Sequence, residues 1–329
     1  MGSLPEVVED CMGVLQLFSD GTVFRHQNIH FPTQPVHDQS VLHKDCLFSE
    51  PHDLRLRLYK PASALNDDHR RGRRRLPVIF YFRGGGFCVG SRDWPSCHNC
   101  CQRLSSALDA VVVAPDYRMA PEDRLPAAMD DGVAAVTWLQ SQAAGGGDEW
   151  FGDVDFDRVF VVGDSSGGNI AHHVAVRLGT GSLGLGPVRV RGYVLLAPFF
   201  GGVSRTESEE GPREEMMSLE DLDRNRRFWR LSLPVGEDRD HPLANPVGAA
   251  SCKKLEKVDM DPILVIVGER ELLRDRSHDY ATKLAEMGKK VEYVEIKGKQ
   301  HGFFTNDPYS ETSHELVDVI NRFILDNSS

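Results

Sequence analysis

The stretch FVVGDSSGGNIAHHVAV, Phe160 to Val176, limits the possible folds more than any other part of the chain. A short apolar run ends abruptly at Gly163. Asp164, Ser165, Ser166, Gly167 and Gly168 then lead straight into a helix-compatible segment. The pattern G-x-S-x-G falls on Gly163, Ser165 and Gly167. Placed between a strand and a helix, it describes a nucleophile elbow, a turn so tight that only glycines clear the neighbouring backbone. The helix that follows aims N–H groups and its positive dipole end at the serine oxygen. The pentapeptide alone would be weak, because Gly and Ser also crowd ordinary loops.

The rest of the chain supplies strands and helices in alternation. LPVIFYF (Leu76–Phe82), LDAVVVA (Leu108–Ala114), Arg158–Val162, VRVRGYVLLA (Val188–Ala197) and DPILVIV (Asp261–Val267) read as strands buried on both faces, and Val291–Ile296 as one more strand. VLHKDCLF and DLRLRLYKP (Asp53–Pro61) precede them. In the second of these, Leu54, Leu56 and Leu58 alternate with Arg55, Arg57 and Tyr59, the period of a half-exposed antiparallel strand. Helices are expected after PDYRMAPEDRLPAAMDD and over Arg274–Met287 and Glu311–Leu325. This order implies a doubly wound α/β fold with a mostly parallel central sheet flanked by helices. Residues 5–19 show helical spacing, a strand begins at GTVFRH, and residues 27–40 read as loop. Residues 199–250 are long, charged and without strand pattern. Their amphipathic stretch MMSLEDLDRNRRFWRLSL reads as a helical cap inserted into a catalytic domain of residues 41–329.

Composition excludes several roles. The chain has 329 residues, enough for a large core, and a net charge of −11, which disfavours nucleic acid and anionic membrane surfaces. The basic run RRGRRR, Arg70 to Arg75, reads as a solvated loop. No apolar run approaches the roughly 18 residues that span a bilayer. The acidic start MGSLPEVVED lacks a secretory h-region, and Glu6 breaks the myristoylation pattern begun by Gly2, so a cytoplasmic and also nuclear location is expected. Seven scattered cysteines suit reduced thiols. Cys97, His98, Cys100 and Cys101 lack a second ligand pair for zinc; on a helix, the three cysteines share one packed face.

A serine hydroxyl needs a base, and the base needs an orienting carboxylate. In this architecture they follow in the order Ser, acid, His, on loops after successive strands. His301, in GKQHGFF, lies just beyond the strand VEYVEI. The loop after DPILVIV offers Glu269, Glu271 and Asp275. Glu271 is preferred, since Glu269 hugs the strand end and Asp275 falls inside the next helix. Gly84, Gly85 and Gly86 follow the strand LPVIFYF and can bring backbone N–H groups against a substrate carbonyl, as can Ser166.

The set F-R-G-G-G-F-C-x-G-S, D-Y-R-M-A-P-E-D-R-L-P-A-A-x-D-D, G-D-S-S-G-G-N-I-A-H-H and H-G-F-F resembles the hormone-sensitive-lipase-like plant carboxylesterases, α/β-hydrolases, nearly end to end. EDCMGVLQLFSDGTV, VRVRGYVLLAPFFGG, FWRLSLPVGEDRDHPLANP and VIVGERELLRD look most like the carboxylesterase 15 subgroup, associated with strigolactone breakdown. The resemblance implies Ser165 as nucleophile, Glu271 as acid, His301 as base, and Gly85, Gly86 and Ser166 as oxyanion donors. It also implies an N-terminal lid over roughly residues 1–40. Small hydrophobic esters or lactones would be substrates, no cofactor or metal would be needed, and the protein would act as a monomer or homodimer. The chain departs from the family in having Arg83 where relatives carry a loop-bracing His, and Glu where most place Asp. Restoring that histidine, Arg83→His, is expected to leave activity equal or higher. The resemblance extends to gibberellin receptors, which have lost the catalytic histidine that is present here as His301. It also extends to hydroxyisoflavanone dehydratases, which are lyases on the same scaffold.

Overall fold

The computed structural model describes residues 5–11, 13–26, 29, 31, 33–65, 75–144, 147–210 and 219–328. Of the basic run, only Arg75 falls within them. Three short strands open the chain: β1 (Val7–Cys11), β2 (Leu15–Phe18) and β3 (Val23–Arg25). They pair antiparallel into a sheet of their own. The expectation of a helix over residues 5–19 is therefore wrong. Asp10 accepts hydrogen bonds from the Gly13 N–H at 2.7 Å and from Gln16 Nε2 at 2.6 Å, and Gly13 adopts φ +67°. The chain reverses there, and Cys11 and Leu15, rather than a helical stripe, turn inward.

The main sheet follows. β4 (Val41–Ser49) and β5 (Leu54–Pro61) form an antiparallel pair; then come β6 (Leu76–Phe82), α1 (Pro95–Leu108), β7 (Val111–Pro115), α2 (Ala127–Ala143), β8 (Val154–Asp164) and α3 (Ser166–Gly179). β9 (Val190–Leu196) leads into a segment without strands among its described residues. That segment holds α4 (Glu207–Glu210), α5 (Leu219–Ser232) and α6 (Ala249–Leu255). β10 (Ile263–Gly268), α7 (Arg274–Glu286), β11 (Val291–Ile296), α8 (Phe303–Asn306) and α9 (Glu311–Asp326) complete the chain. The strand order is β11-β10-β9-β8-β6-β7-β5-β4. Every pair from β11 to β7 is parallel, and β5 and β4 extend that edge antiparallel.

Each central strand is apolar on both faces because both are covered. On one side Phe80, Phe82, Val161 and Leu195 pack with residues of α2, α3 and α7. On the other, Ile79, Tyr81, Val162 and Ile266 pack against α1 and α9. On α1, Cys97, Cys100, Cys101, Leu104 and Leu108 form the buried stripe that the three cysteines implied. Register then places the site. Phe82 pairs with Gly163, so the loop after β6 and the turn after β8 leave the sheet side by side.

Candidate active site

Ser165 sits between the last residue of β8 and the first of α3, at φ 52° and ψ −115°. For a non-glycine residue this is strained backbone, of the kind that persists only when the surroundings impose it. The surroundings are specific. A Cβ on Gly163 would lie 2.1 Å from the Gly167 carbonyl oxygen, and one on Gly167 would lie 1.8 Å from that of Phe82. Both flanking positions must therefore be glycine. The Ser165 N–H donates to the Leu196 carbonyl at 2.9 Å, and the Ser165 carbonyl accepts from the Phe199 N–H at 2.8 Å. Asn169 Nδ2 donates to the Phe199 and Leu243 carbonyls. The turn is thus bolted to the neighbouring loop after β9.

Ser165, Glu271 and His301 line one cavity of about 700 Å³, together with Gly84, Gly85 and Gly86. Glu271 follows β10 and is 1% exposed; His301 follows β11. His301 Nδ1 lies 2.7 Å from Glu271 Oε1. The other two carboxylates on that loop have different work. Glu269 Oε2 accepts the Gly298 N–H at 2.7 Å, tying the loops after β10 and β11 together. Asp275, inside α7, accepts the Ser208 N–H at 2.6 Å and pairs with Arg274.

The glycine loop is held from behind. Gly85 and Gly86 adopt φ +119° and +57°, which a side chain would resist. Their N–H groups donate to no described residue. Ser166, at the first position of α3, has an N–H with no preceding helical turn to bond to. Arg83, 4% exposed, donates from Nη1 to the carbonyls of Val89 at 2.9 Å and Gly84 at 3.3 Å and to the Tyr117 hydroxyl at 3.2 Å. Its Nε lies 3.5 Å from Asp116 Oδ1, and its guanidinium stacks 4.2 Å from the Tyr117 ring centroid. The Tyr117 hydroxyl also lies 3.4 Å from Ser166 Oγ. One network therefore joins the glycine loop to the elbow. The sequence reading named Arg83 only as a departure and missed Asp116 and Tyr117. Their signal was D-Y-R directly after a buried strand adjacent to β6.

Asp164, beside Ser165, also lines the cavity. Burial pushes its carboxyl up to about 6, with His301 pulling it down and Glu271 raising it further. The cavity is also lined by Phe199, by Asn225 and Phe228 of α5, and by Leu272 and Leu273 after β10. Near the mouth, the Phe31 ring packs 5.0 Å from Trp94, and Thr33 Oγ1 donates to the Asn306 carbonyl at 3.3 Å. Trp94 and Asn306 both line the cavity. Among the described residues no group of three or more His, Cys, Asp or Glu is arranged to hold a metal ion, and no helix is long and apolar enough to cross a membrane.

Residues 79–305 match the model of the alpha/beta hydrolase fold. The chain belongs to that alpha/beta hydrolase family. It is 36% identical to Carboxylesterase 20 of Arabidopsis thaliana, over 93% of this chain and 94% of that protein. It is also 34% identical to the Gibberellin receptor GID1A of Arabidopsis thaliana, over 93% and 88%. Among solved structures it superposes on the Pyrobaculum calidifontis esterase with a TM-score of 0.69 and 30% identity, covering 88% of this chain and 85% of that one. The carboxylesterase relatives and esterase structures support a carboxylic ester hydrolase; within the same alpha/beta hydrolase family, hormone receptors are relatives too.

Proposed function

We propose that the protein is a serine carboxylesterase acting on small hydrophobic esters or lactones, with Ser165 as nucleophile, His301 as base and Glu271 as the orienting acid. One observation carries this reading. A serine in strained backbone shares a cavity with a histidine whose Nδ1 is 2.7 Å from a buried carboxylate. His301 Nε2 takes the Ser165 proton as Oγ attacks the ester carbonyl, while Glu271 holds Nδ1–H and stabilises the imidazolium. The N–H groups of Gly85, Gly86 and Ser166 bind the oxyanion. His301 then protonates the leaving alcohol, and water activated by the same imidazole releases the acid. No step calls for a metal or cofactor.

The finer reading places the protein in the carboxylesterase 15 subgroup, in strigolactone breakdown, in the cytoplasm and nucleus, as a monomer or homodimer. Residues 1–40 would act as the lid and residues 199–250 as the cap. The contacts of Phe31 and Thr33 with cavity residues support a covering role for the N-terminal segment. The alternative is a hormone receptor of the gibberellin type, favoured by the 34% identity to GID1A and disfavoured by the paired His301.

Turnover of p-nitrophenyl butyrate and of a synthetic strigolactone by wild type and Ser165→Ala tests the proposal. Ser165→Ala should lose at least about 10³-fold in kcat, and Glu271→Gln roughly 10³- to 10⁴-fold. Binding without turnover in the wild type would favour the receptor. Equal activity in Ser165→Ala would remove the serine mechanism.

A further inference from the structure

The apolar part of the cavity wall carries one polar group that ester hydrolysis does not use. Asn225 of α5 is 8% exposed and lines the cavity together with Phe199, Phe228 and Leu273. Arg83, Ser165 and Glu271 are also polar, buried and on the cavity wall, and each has a task. Arg83 braces the glycine loop, Glu271 pairs with His301, and Ser165 is the proposed nucleophile. The Asn225 amide has no such task, and no described residue hydrogen-bonds it. On the same helix Trp229 Nε1 and Ser232 Oγ are sealed in without partners, whereas neither amide atom of Asn225 is sealed, so this amide opens onto the cavity. Its distance from the chemistry follows from the helix. Asn225 and Phe228 are three residues apart on α5, hence on one face and about 4.5 Å apart along the axis. The Phe228 ring comes within 2.4 Å of the position a Gly86 Cβ would take. Asn225 therefore lies about one helical turn beyond the residue that covers the glycine loop.

A leucine is close to asparagine in shape, would continue the apolar wall and suits a helix better, so an unpaired amide at this position costs stability and gains nothing within the fold. Buried polar groups are normally paired, and one left open towards a cavity is available to its ligand. We propose that Asn225 is a specificity-determining residue whose amide donates to a second, neutral carbonyl oxygen of the substrate, set several bonds away from the scissile ester. This rests on the esterase reading of Ser165. The amide has two N–H donors and one acceptor. A carbonyl oxygen needs only a donor, so a single bond from Nδ2 satisfies it. A hydroxyl leaves both a donor and an acceptor behind in water, and the amide offers these on separate atoms. An ion fits worse, because the amide has no net charge to offset its desolvation against Phe199, Phe228 and Leu273. A purely apolar chain would leave the amide unpaired, and sites built to bond a polar group discriminate against the analogue lacking it. The spacing sets the reach: one carbonyl at the glycine loop and a second about one helical turn past Phe228 are separated by roughly four to six bonds of chain.

Two matched pairs of esters place the second carbonyl on either side of the scissile bond: p-nitrophenyl 5-oxohexanoate with p-nitrophenyl hexanoate, and 5-oxohexyl phenylacetate with hexyl phenylacetate. The readout is the ratio of kcat/KM, ketone over plain ester, within each pair. In at least one pair Asn225→Leu should lower that ratio about tenfold or more, because the donor is gone. Asn225→Asp keeps the shape but holds only acceptors at neutral pH, and it should lower the ratio as much. Ratios within about threefold of wild type for both variants in both pairs would overturn the proposal. Melting curves supply an independent check. Because the amide is engaged by nothing in the fold, Asn225→Leu should melt no lower than wild type. A fall of more than about 5 °C would show that the amide is bonded within the protein, and that result also overturns the proposal. If the wild type hydrolyses none of the four esters, the esterase reading fails separately. The same ratios and thresholds are then read from calorimetric dissociation constants for the same pairs.

Discussion

Arg83 shows how one buried side chain can brace a glycine-rich loop. Its five N–H donors form a rigid fork, and here the fork touches two loop carbonyls, a tyrosine hydroxyl and a carboxylate. An imidazole has two nitrogens and a shorter reach, so it cannot hold both Val89 and Asp116. These contacts argue against the expectation that histidine would serve as well or better. Arg83→His should lower kcat roughly 10- to 100-fold on p-nitrophenyl butyrate with KM little changed, because donors that act on the developing oxyanion lose their aim. Arg83→Lys should not restore it. Undiminished kcat in Arg83→His would show that the loop holds its shape without the fork. At this scale the serine, the histidine and the glycines were readable because each punctuates a strand end. Distance from the strand end preferred Glu271 among three candidate acids, and the other two have separate partners, Gly298 for Glu269 and Ser208 for Asp275. Asp116 and Tyr117 were missed although D-Y-R marks them, because their meaning comes from β6 and β7, strands that are neighbours in the sheet but not joined by a short turn.

Among the elements, α5 contributes Asn225 and Phe228 to the cavity wall. Trp229 is 1% exposed and stacks on Phe199 with centroids 4.3 Å apart and planes at 3°; it also lies 5.8 Å from Phe87. Its neighbour Phe228 places its ring where a side chain on Gly86 would go. Trp229→Ala should cost about 3–5 kcal/mol in denaturant unfolding. By loosening Phe228 over the glycine loop it should also lower kcat/KM roughly 10- to 100-fold. Trp229→Phe keeps an aromatic stack and should cost less than about 1.5 kcal/mol. Lost stability with unchanged kcat/KM would detach the helix from catalysis. The sequence pattern identified this helix from its aromatic pair and amphipathic period, and it identified the buried strands from their unbroken apolar runs. It failed at residues 5–19. There helical spacing and strand alternation both fit a few apolar residues, and the Asp10–Gly13 turn that decides between them is a local bond rather than a pattern. The resulting sheet is fastened to α5 by Glu9, which pairs with Arg227 and Arg230.

Across the whole molecule, burial has moved titratable groups in opposite directions, and the balance sets how stability responds to acid. Burial pushes His98 and His173 down to about 4 and His172 well below its usual range; His98 Nδ1 faces the Tyr59 hydroxyl and His172 Nδ1 the Tyr280 hydroxyl. Each histidine is neutral in the folded chain but charges near pH 6.5 once unfolded. As pH falls from 6.5 towards 4, the unfolded state therefore binds up to three more protons, and stability drops. Asp164 works the other way. Its folded value of about 6 lies above the unfolded value of 3.8, so it contributes stability that is fully present below pH 3.8 and lost as pH rises through 6. Three protons minus one leaves a net uptake of two on unfolding near pH 5, a slope of roughly 3 kcal/mol per pH unit. Denaturant unfolding at pH 7.5, 5.5 and 4.5 should show a loss of about 3 kcal/mol in each interval, with the steeper slope per pH unit between the last two. Asp164→Asn removes the opposing proton. That variant should be more stable than wild type at pH 7.5 by at most about 3 kcal/mol, lose that advantage by pH 4, and show a steeper slope of about 4 kcal/mol per unit. Unfolding free energies that stay level from pH 7.5 to 4.5 would mean that the buried histidines find protons, or water, without the fold opening.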